Sequence, residues 1–121
     1  MSKYNFQLTM NPNGPYFKIL TKIAPNSCVL EFGPAHGVMT KHMKEQLNCA
    51  IYAVEYDEAA AKDAGQFCEQ IIVDDIEKYN WKNQLECKKF NYIVFTDVLE
   101  HLYDPWKVLK EVKPFLEKNG Y

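Results

Sequence analysis

The 121-residue sequence contains no arginine: all fourteen of its basic residues are lysines, set against sixteen acidic ones for a formal net charge of −2. Without guanidinium forks, the bidentate grip on phosphates and guanine edges is missing, so nucleic acid is not an expected partner. Long apolar runs are missing too. No stretch approaches the ~18 consecutive apolar residues of a membrane span, and the opening MSKYNFQLTMNPNGPYFKIL has no uninterrupted apolar core of a secretion signal. A cytoplasmic protein with no membrane contact is expected. The cysteines at 28, 49, 68 and 87 form no CxxC pair, which argues for free thiols in a reducing compartment and against a structural zinc site. No linker, low-complexity tract or true repeat divides the chain, so it has room for one domain.

What is present is the profile of a globular domain, with 47% hydrophobic and 25% charged residues. The cysteines are spaced by 21, 19 and 19 residues and each precedes an apolar run, a repeat length that suits one strand plus one helix. Four runs, 28–32, 50–55, 71–73 and 92–96, are short, rich in β-branched and aromatic residues, and bounded by turn formers. They are predicted as strands, and their near-continuous apolarity suits a parallel sheet covered on both faces. Val38, Met39, Met43 and Leu47 recur at helical spacing after Gly37. Asp57 is placed to cap a helix over 58–64 that stops at Gly65, and Asp104-Pro105 to open one with Leu109, Val112 and Leu116 on one face, kinked or shortened by Pro114. Residues 1–25 read as an arm with a short helix over 16–23, and residues 26–121 as the domain proper.

The chemistry centres on Glu31-Phe32-Gly33-Pro34-Ala35-His36-Gly37, where a strand ends in a glycine-cornered turn and feeds a helix. Such a turn aims backbone N–H groups and a positive helix end at a ligand above the sheet. A P-loop would need Gly-Lys-Ser/Thr, but Val38-Met39 follows Gly37. A dinucleotide fingerprint would need glycines where Ala35 and Val38 stand. Glu55 lies at the end of the second strand, 18 residues beyond Gly37, where an acid can accept both hydroxyls of a ribose, a device that dinucleotide enzymes share.

The acid-x-Gly-x-(Gly/Ala)-x-Gly turn resembles the first motif of the class I S-adenosylmethionine-dependent methyltransferases. The resemblance continues through Glu55-Tyr56-Asp57, through Ile72-Val73-Asp74-Asp75-Ile76, and through Thr96-Asp97-Val98-Leu99-Glu100-His101-Leu102, in order, from about Asn26 to Tyr121. It implies an α/β fold, a Rossmann-like three-layer sandwich with a parallel sheet, incomplete at about four of the family's seven strands. It also implies S-adenosylmethionine as cofactor. Glu31, Gly33, Pro34, Ala35 and Gly37 would form the cofactor turn and Glu55 would take the ribose. Tyr56 would lie against adenine, Asp75 would accept from the adenine amino group with Ile76 beside the ring, and Thr96 and Asp97 would border the methionine portion. Asp74 departs from the family's usual glycine.

Methyl transfer from a sulfonium is an in-line displacement that depends chiefly on positioning. For a hydroxyl acceptor His101 is the candidate base. Asp97, Glu100 and His101 would share one face of a helix and could then hold a divalent ion, but no fourth ligand is identifiable and no metal is expected. His36, within the turn, could face the cofactor through its backbone or side chain, His42 lies on the following helix, and Tyr16 could fold over the cofactor from the arm.

The resemblance thus implies the cofactor-binding part of a methyltransferase with an unidentified small-molecule acceptor. The chain stops before a fifth strand, which would leave the fourth as an apolar edge open to homodimerisation. Binding of S-adenosylmethionine with weak or no methyl transfer is expected of this chain by itself. The alternative is a non-catalytic S-adenosylmethionine- or nucleotide-binding module.

Overall fold

A computed structural model of the chain describes residues 15–96 and 98–121. Its centre is a sheet of four parallel strands: β1 (Cys28–Phe32), β2 (Ala50–Glu55), β3 (Gln70–Val73) and β4 (Tyr92–Phe95). The order across the sheet is β3-β2-β1-β4, with Leu30 opposite Tyr52 on one side and Ile93 on the other. The chain steps outward from β1 to β3, then returns to place β4 on the far side of β1. That reversal puts the topological switch point between β1 and β4, and the carboxyl ends of strands at such a point are where open α/β sheets bind ligands in a crevice.

Side-chain alternation along the strands feeds two cores. Val29, Ile51, Ala53 and Val94 point to one face, where α1 (Pro15–Leu20) contributes Leu20 and α2 (Val38–Glu45) contributes Met39 and Met43. Leu30, Phe32, Val54 and Ile72 point to the other, under α4 (Trp81–Gln84) and α5 (Pro105–Val112). There Trp81 is fully buried, its ring edge-on to Phe32 with centroids 4.9 Å apart. Its indole N–H donates to the carbonyl of Ile76, so the one polar atom of the ring is satisfied in the core. The result is three layers, helix–sheet–helix.

The remaining helix, α3 (Glu58–Gly65), begins at Asp57, whose carboxylate accepts from the N–H groups of Ala59 and Ala60. Ala60, Ala61 and Ala64 form its buried face, and these small side chains let the helix approach the sheet closely. Asp57→Ala is expected to lower the unfolding free energy by about 1 kcal/mol, the usual worth of an N-cap, as read by urea denaturation.

Three expectations change in detail. The arm helix ends at Leu20, short of Ile23, and the chain continues in a tighter turn in which the Ile23 N–H bonds the Leu20 carbonyl, because Ala24 precedes Pro25 and is disfavoured from helical geometry. Ile23 is still buried with Leu20 against the sheet, so this part of the arm packs on the domain. On α5, Val108 and Val112 face inward while Leu109 is 37% exposed. Two stripes share Val112, and docking on Trp81 and Phe32 selects the one through Val108 and Phe115. Finally, β4 is not wholly unpaired. The Tyr121 N–H donates to the Asn91 carbonyl and the Ile93 N–H to the Tyr121 carbonyl, a parallel pairing pattern along the start of that edge.

Candidate cofactor site

The turn between β1 and α2 owes its shape to two glycines and one alanine with positive φ. Gly33 (φ 76°) packs where an added Cβ would lie 3.0 Å from the Thr96 carbonyl oxygen and 3.1 Å from the Val98 Cβ, so it brings the ends of β1 and β4 together at the crevice. Gly37 (φ 90°) caps α2 and sits against α3, with an added Cβ only 2.8 Å from the Ala64 Cα. Between them Pro34 is buried and Ala35 takes φ 54°, a left-handed conformation that costs a non-glycine residue roughly 1 kcal/mol. Ala35 is thus a glycine position filled by the next smallest side chain.

Gly37, the N-cap of α2, has no side chain to cap it, in contrast with Asp57 on α3. Among the described residues no side chain accepts from the first-turn N–H groups of α2, which suits them to an acceptor above the sheet.

Glu55 ties this turn to the second strand. One of its carboxylate oxygens accepts from the Ala35 N–H at 2.7 Å and the other from the Asp57 N–H at 2.9 Å. The two backbone bonds fix the carboxylate plane, and each oxygen keeps a further lone pair for a diol. Tyr56 follows it with its side chain 75% exposed, an aromatic face at the same end of the sheet.

Glu31 is wholly buried and faces α2. It accepts from the Thr40 hydroxyl at 2.6 Å and from the Thr96 hydroxyl at 3.1 Å, bracing α2 and β4 around β1. Its contact with the crevice therefore runs through Thr96. Burial pushes its carboxyl up to about 7, against the lowering effect of the two hydroxyl bonds.

The raised value fixes the sign of a pH effect. The folded chain binds the Glu31 proton more tightly than the unfolded chain, whose carboxyl titrates near 4.5. Stability from this group is full below that value and is lost as pH rises through about 7. Between pH 5 and 8 the loss is on the order of 2 kcal/mol. Glu31→Gln keeps the shape and a donor for the threonine oxygens, so the variant should show a flatter stability profile over that range than the parent in urea unfolding.

Past β3, Asp74 and Asp75 divide the work of a single acid. Asp74 accepts from the backbone N–H groups of Asp75 and Trp81, holding the loop down over the core. Asp75 caps the 3-10 turn Ile76–Lys78 by accepting from the Glu77 N–H through Oδ1. Ile76 turns its side chain into the core, leaving its backbone as the part that can border a ligand. Past β4, the 3-10 turn Leu99–His101 carries Glu100 and His101, both exposed, with 3.6 Å between carboxylate and imidazole. Asp97 and the Tyr16 side chain lie outside the described residues. Among the described residues no three His, Cys, Asp or Glu side chains gather as a metal site.

Two contacts of the site had no reading in the sequence. His36 Nδ1 lies 2.5 Å from an Asp63 carboxylate oxygen, linking the turn to α3. Glu77 reaches the loop after β4, accepting from the N–H groups of Tyr103 and Asp104. Both are contacts between residues 26 or more positions apart, with no local pattern to announce them.

A parallel sheet with its switch point at a glycine turn, followed by a strand-end acid, defines an α/β domain of the Rossmann-like class. The chain belongs to the methyltransferase-domain family, whose sequence profile matches residues 12–121. Solved structures share the fold. Coclaurine N-methyltransferase bound to N-methylheliamine and S-adenosylhomocysteine superposes with a TM-score of 0.72 at 16% identity, over 97% of this chain and 37% of that one. The plantazolicin methyltransferase BpumL with S-adenosylhomocysteine gives 0.65 at 20% identity, over 84% and 39%. The amino-terminal domain of EvdMO1 with S-adenosylhomocysteine bound gives 0.69 at 19%, over 95% and 50%. The chain thus spans half or less of each of these proteins. Among curated proteins none matches it in sequence. No helix among the described residues is long and apolar enough to cross a membrane.

Proposed function

We propose that the crevice binds S-adenosylmethionine and that the chain is the cofactor-binding part of a methyltransferase acting on a small-molecule acceptor. The observation that carries this reading is Glu55: a strand-end carboxylate, oriented by the Ala35 and Asp57 N–H groups, beside a turn whose helix is capped by a glycine with no side chain to offer. The residues fit the group. The Gly33-to-Gly37 turn and the amino end of α2 would hold the methionine portion, Glu55 would take the ribose hydroxyls, and Tyr56 would offer its ring to the adenine. Asp75 has its second oxygen for the adenine amino group while the first caps its own turn.

When bound, the cofactor supplies an electrophilic methyl group on a positively charged sulfur. The protein's share is then orientation: Thr96, at the end of β4 and braced by Glu31, walls the side from which an acceptor approaches. For a hydroxyl acceptor, the exposed imidazole of His101 at the same end of the sheet takes up the proton. A small-molecule acceptor agrees with the absence of arginine and with coclaurine N-methyltransferase, which was solved with N-methylheliamine.

Thermal unfolding tests the reading. S-adenosylmethionine and S-adenosylhomocysteine should each raise the transition, corresponding to about 2.7 kcal/mol at one hundred times the dissociation constant, while NAD should leave it unchanged. A shift with NAD alone would overturn the proposal in favour of dinucleotide binding.

A further inference from the structure

Glu77 joins two walls of the crevice that come from opposite edges of the sheet. Its carboxylate accepts from two consecutive backbone N–H groups, Tyr103 at 3.0 Å and Asp104 at 2.9 Å. Glu77 stands on the turn after β3, whereas Tyr103 and Asp104 stand on the loop after β4, with β2 and β1 lying between those strands. Around it run two weaker ties between the same layers: Lys82 pairs with Glu111 at 2.6 Å, and the Lys107 ammonium lies 5.3 Å from the Tyr79 ring centroid. The first of these joins α4 to α5 and the second joins the turn after β3 to α5, whereas Glu77 reaches the backbone of the loop that carries His101, whose Val98 and Leu102 also pack against the core.

Both N–H groups meet the one carboxylate at the start of α5, where Asp104 also caps the helix by accepting from the Lys107 N–H. Glu77 is held from behind as well, since its own N–H donates to Asp75 Oδ1. A continuous path of hydrogen bonds therefore runs from Asp75 through Glu77 to Tyr103 and Asp104, and along two residues of chain to His101.

We infer that Glu77 is a positioning residue that couples the adenine side of the cofactor site to the acceptor-side loop. Ligand contact at Asp75 restrains the turn at 76–78, the turn restrains the Glu77 carboxylate, and the carboxylate restrains the loop at 98–104. The inference rests on the cofactor reading above, because it needs adenine at Asp75. It adds that a filled cofactor site fixes the acceptor wall before the acceptor arrives, through charge-assisted bonds to backbone that add to the packing of Val98 and Leu102 on the core.

Amide hydrogen exchange with and without S-adenosylhomocysteine tests this. In the parent chain, the ligand should slow exchange at the Gly33-to-Gly37 turn and also, by roughly 10-fold, at Tyr103 and Asp104. In Glu77→Ala the turn should still be protected by ligand, while Tyr103 and Asp104 exchange at one rate with or without it. Glu77→Gln, which keeps one acceptor oxygen and most of the fold, should restore an intermediate response. Protection of the turn without any change at Tyr103 and Asp104 in the parent chain would overturn the coupling, and needs no variant to be seen. Equal ligand protection of those two amides in parent and Glu77→Ala would also overturn it. Protection at neither place would overturn the cofactor reading itself, and the coupling with it.

Discussion

Gly37→Ala is expected to lower the unfolding free energy by roughly 4 kcal/mol and to remove cofactor binding with it. Two costs combine. The backbone at Gly37 has φ 90°, where an L side chain is strained, and the new Cβ would lie 2.8 Å from the Cα of Ala64. That neighbour is helix backbone and cannot swing aside, so the turn or the whole of α3 must shift. Either movement disturbs Glu55, whose carboxylate spans the Ala35 N–H of the turn and the Asp57 N–H at the start of α3. Urea denaturation reads the first loss, and ligand titration at temperatures where the variant is still folded reads the second. A stability change below about 1 kcal/mol would show that the turn and α3 yield to each other easily.

Glu55→Gln is the complementary case, with a large effect on binding and a smaller one on folding. The amide is nearly isosteric, but one carboxylate oxygen becomes an NH2 group facing an N–H donor, either that of Ala35 or that of Asp57. The side chain must lose one backbone bond and can no longer accept from both hydroxyls of a ribose. With charged hydrogen bonds worth about 1.5–3 kcal/mol, the affinity for S-adenosylhomocysteine should fall by roughly 10- to 100-fold. Glu55→Ala, which removes both acceptors, should fall at least as far. Unchanged affinity in Glu55→Gln would place the ribose elsewhere.

The two central strands were legible because they are buried on both faces. Cys28–Phe32 and Ala50–Glu55 fall where the apolar runs end against turn residues, with no choice of register or period to make. The caps at Asp57 and Asp104 were legible for a different reason: each is a local bond between a side chain and backbone two or three residues on. Helix facing was less so. On α5 the periodicity admits either Leu109 or Val108 beside Val112, and the choice belongs to Trp81, which packs from another part of the chain.

The candidate site divides along the same line. The glycines, Glu55 and the Asp74-Asp75 pair stand at strand ends, where position in the sequence fixes position at the crevice. The state of Glu31 was hidden, because its burial and its bonds to Thr40 and Thr96 come from α2 and β4 closing over it. The His36–Asp63 and Glu77–Tyr103 contacts were hidden because they join distant segments by single polar groups. In Ala35, residue identity and conformation disagree: the sequence shows a missing glycine, and the backbone still adopts the glycine conformation there.

The central claim is that the crevice beside Glu55 is an S-adenosylmethionine site, and calorimetric titration of the chain with S-adenosylhomocysteine tests it most directly. The account predicts saturable binding to about one site per chain, weakened roughly 10- to 100-fold in Glu55→Gln. Absence of saturable binding by the folded parent chain, or binding that Glu55→Gln leaves intact, would contradict it.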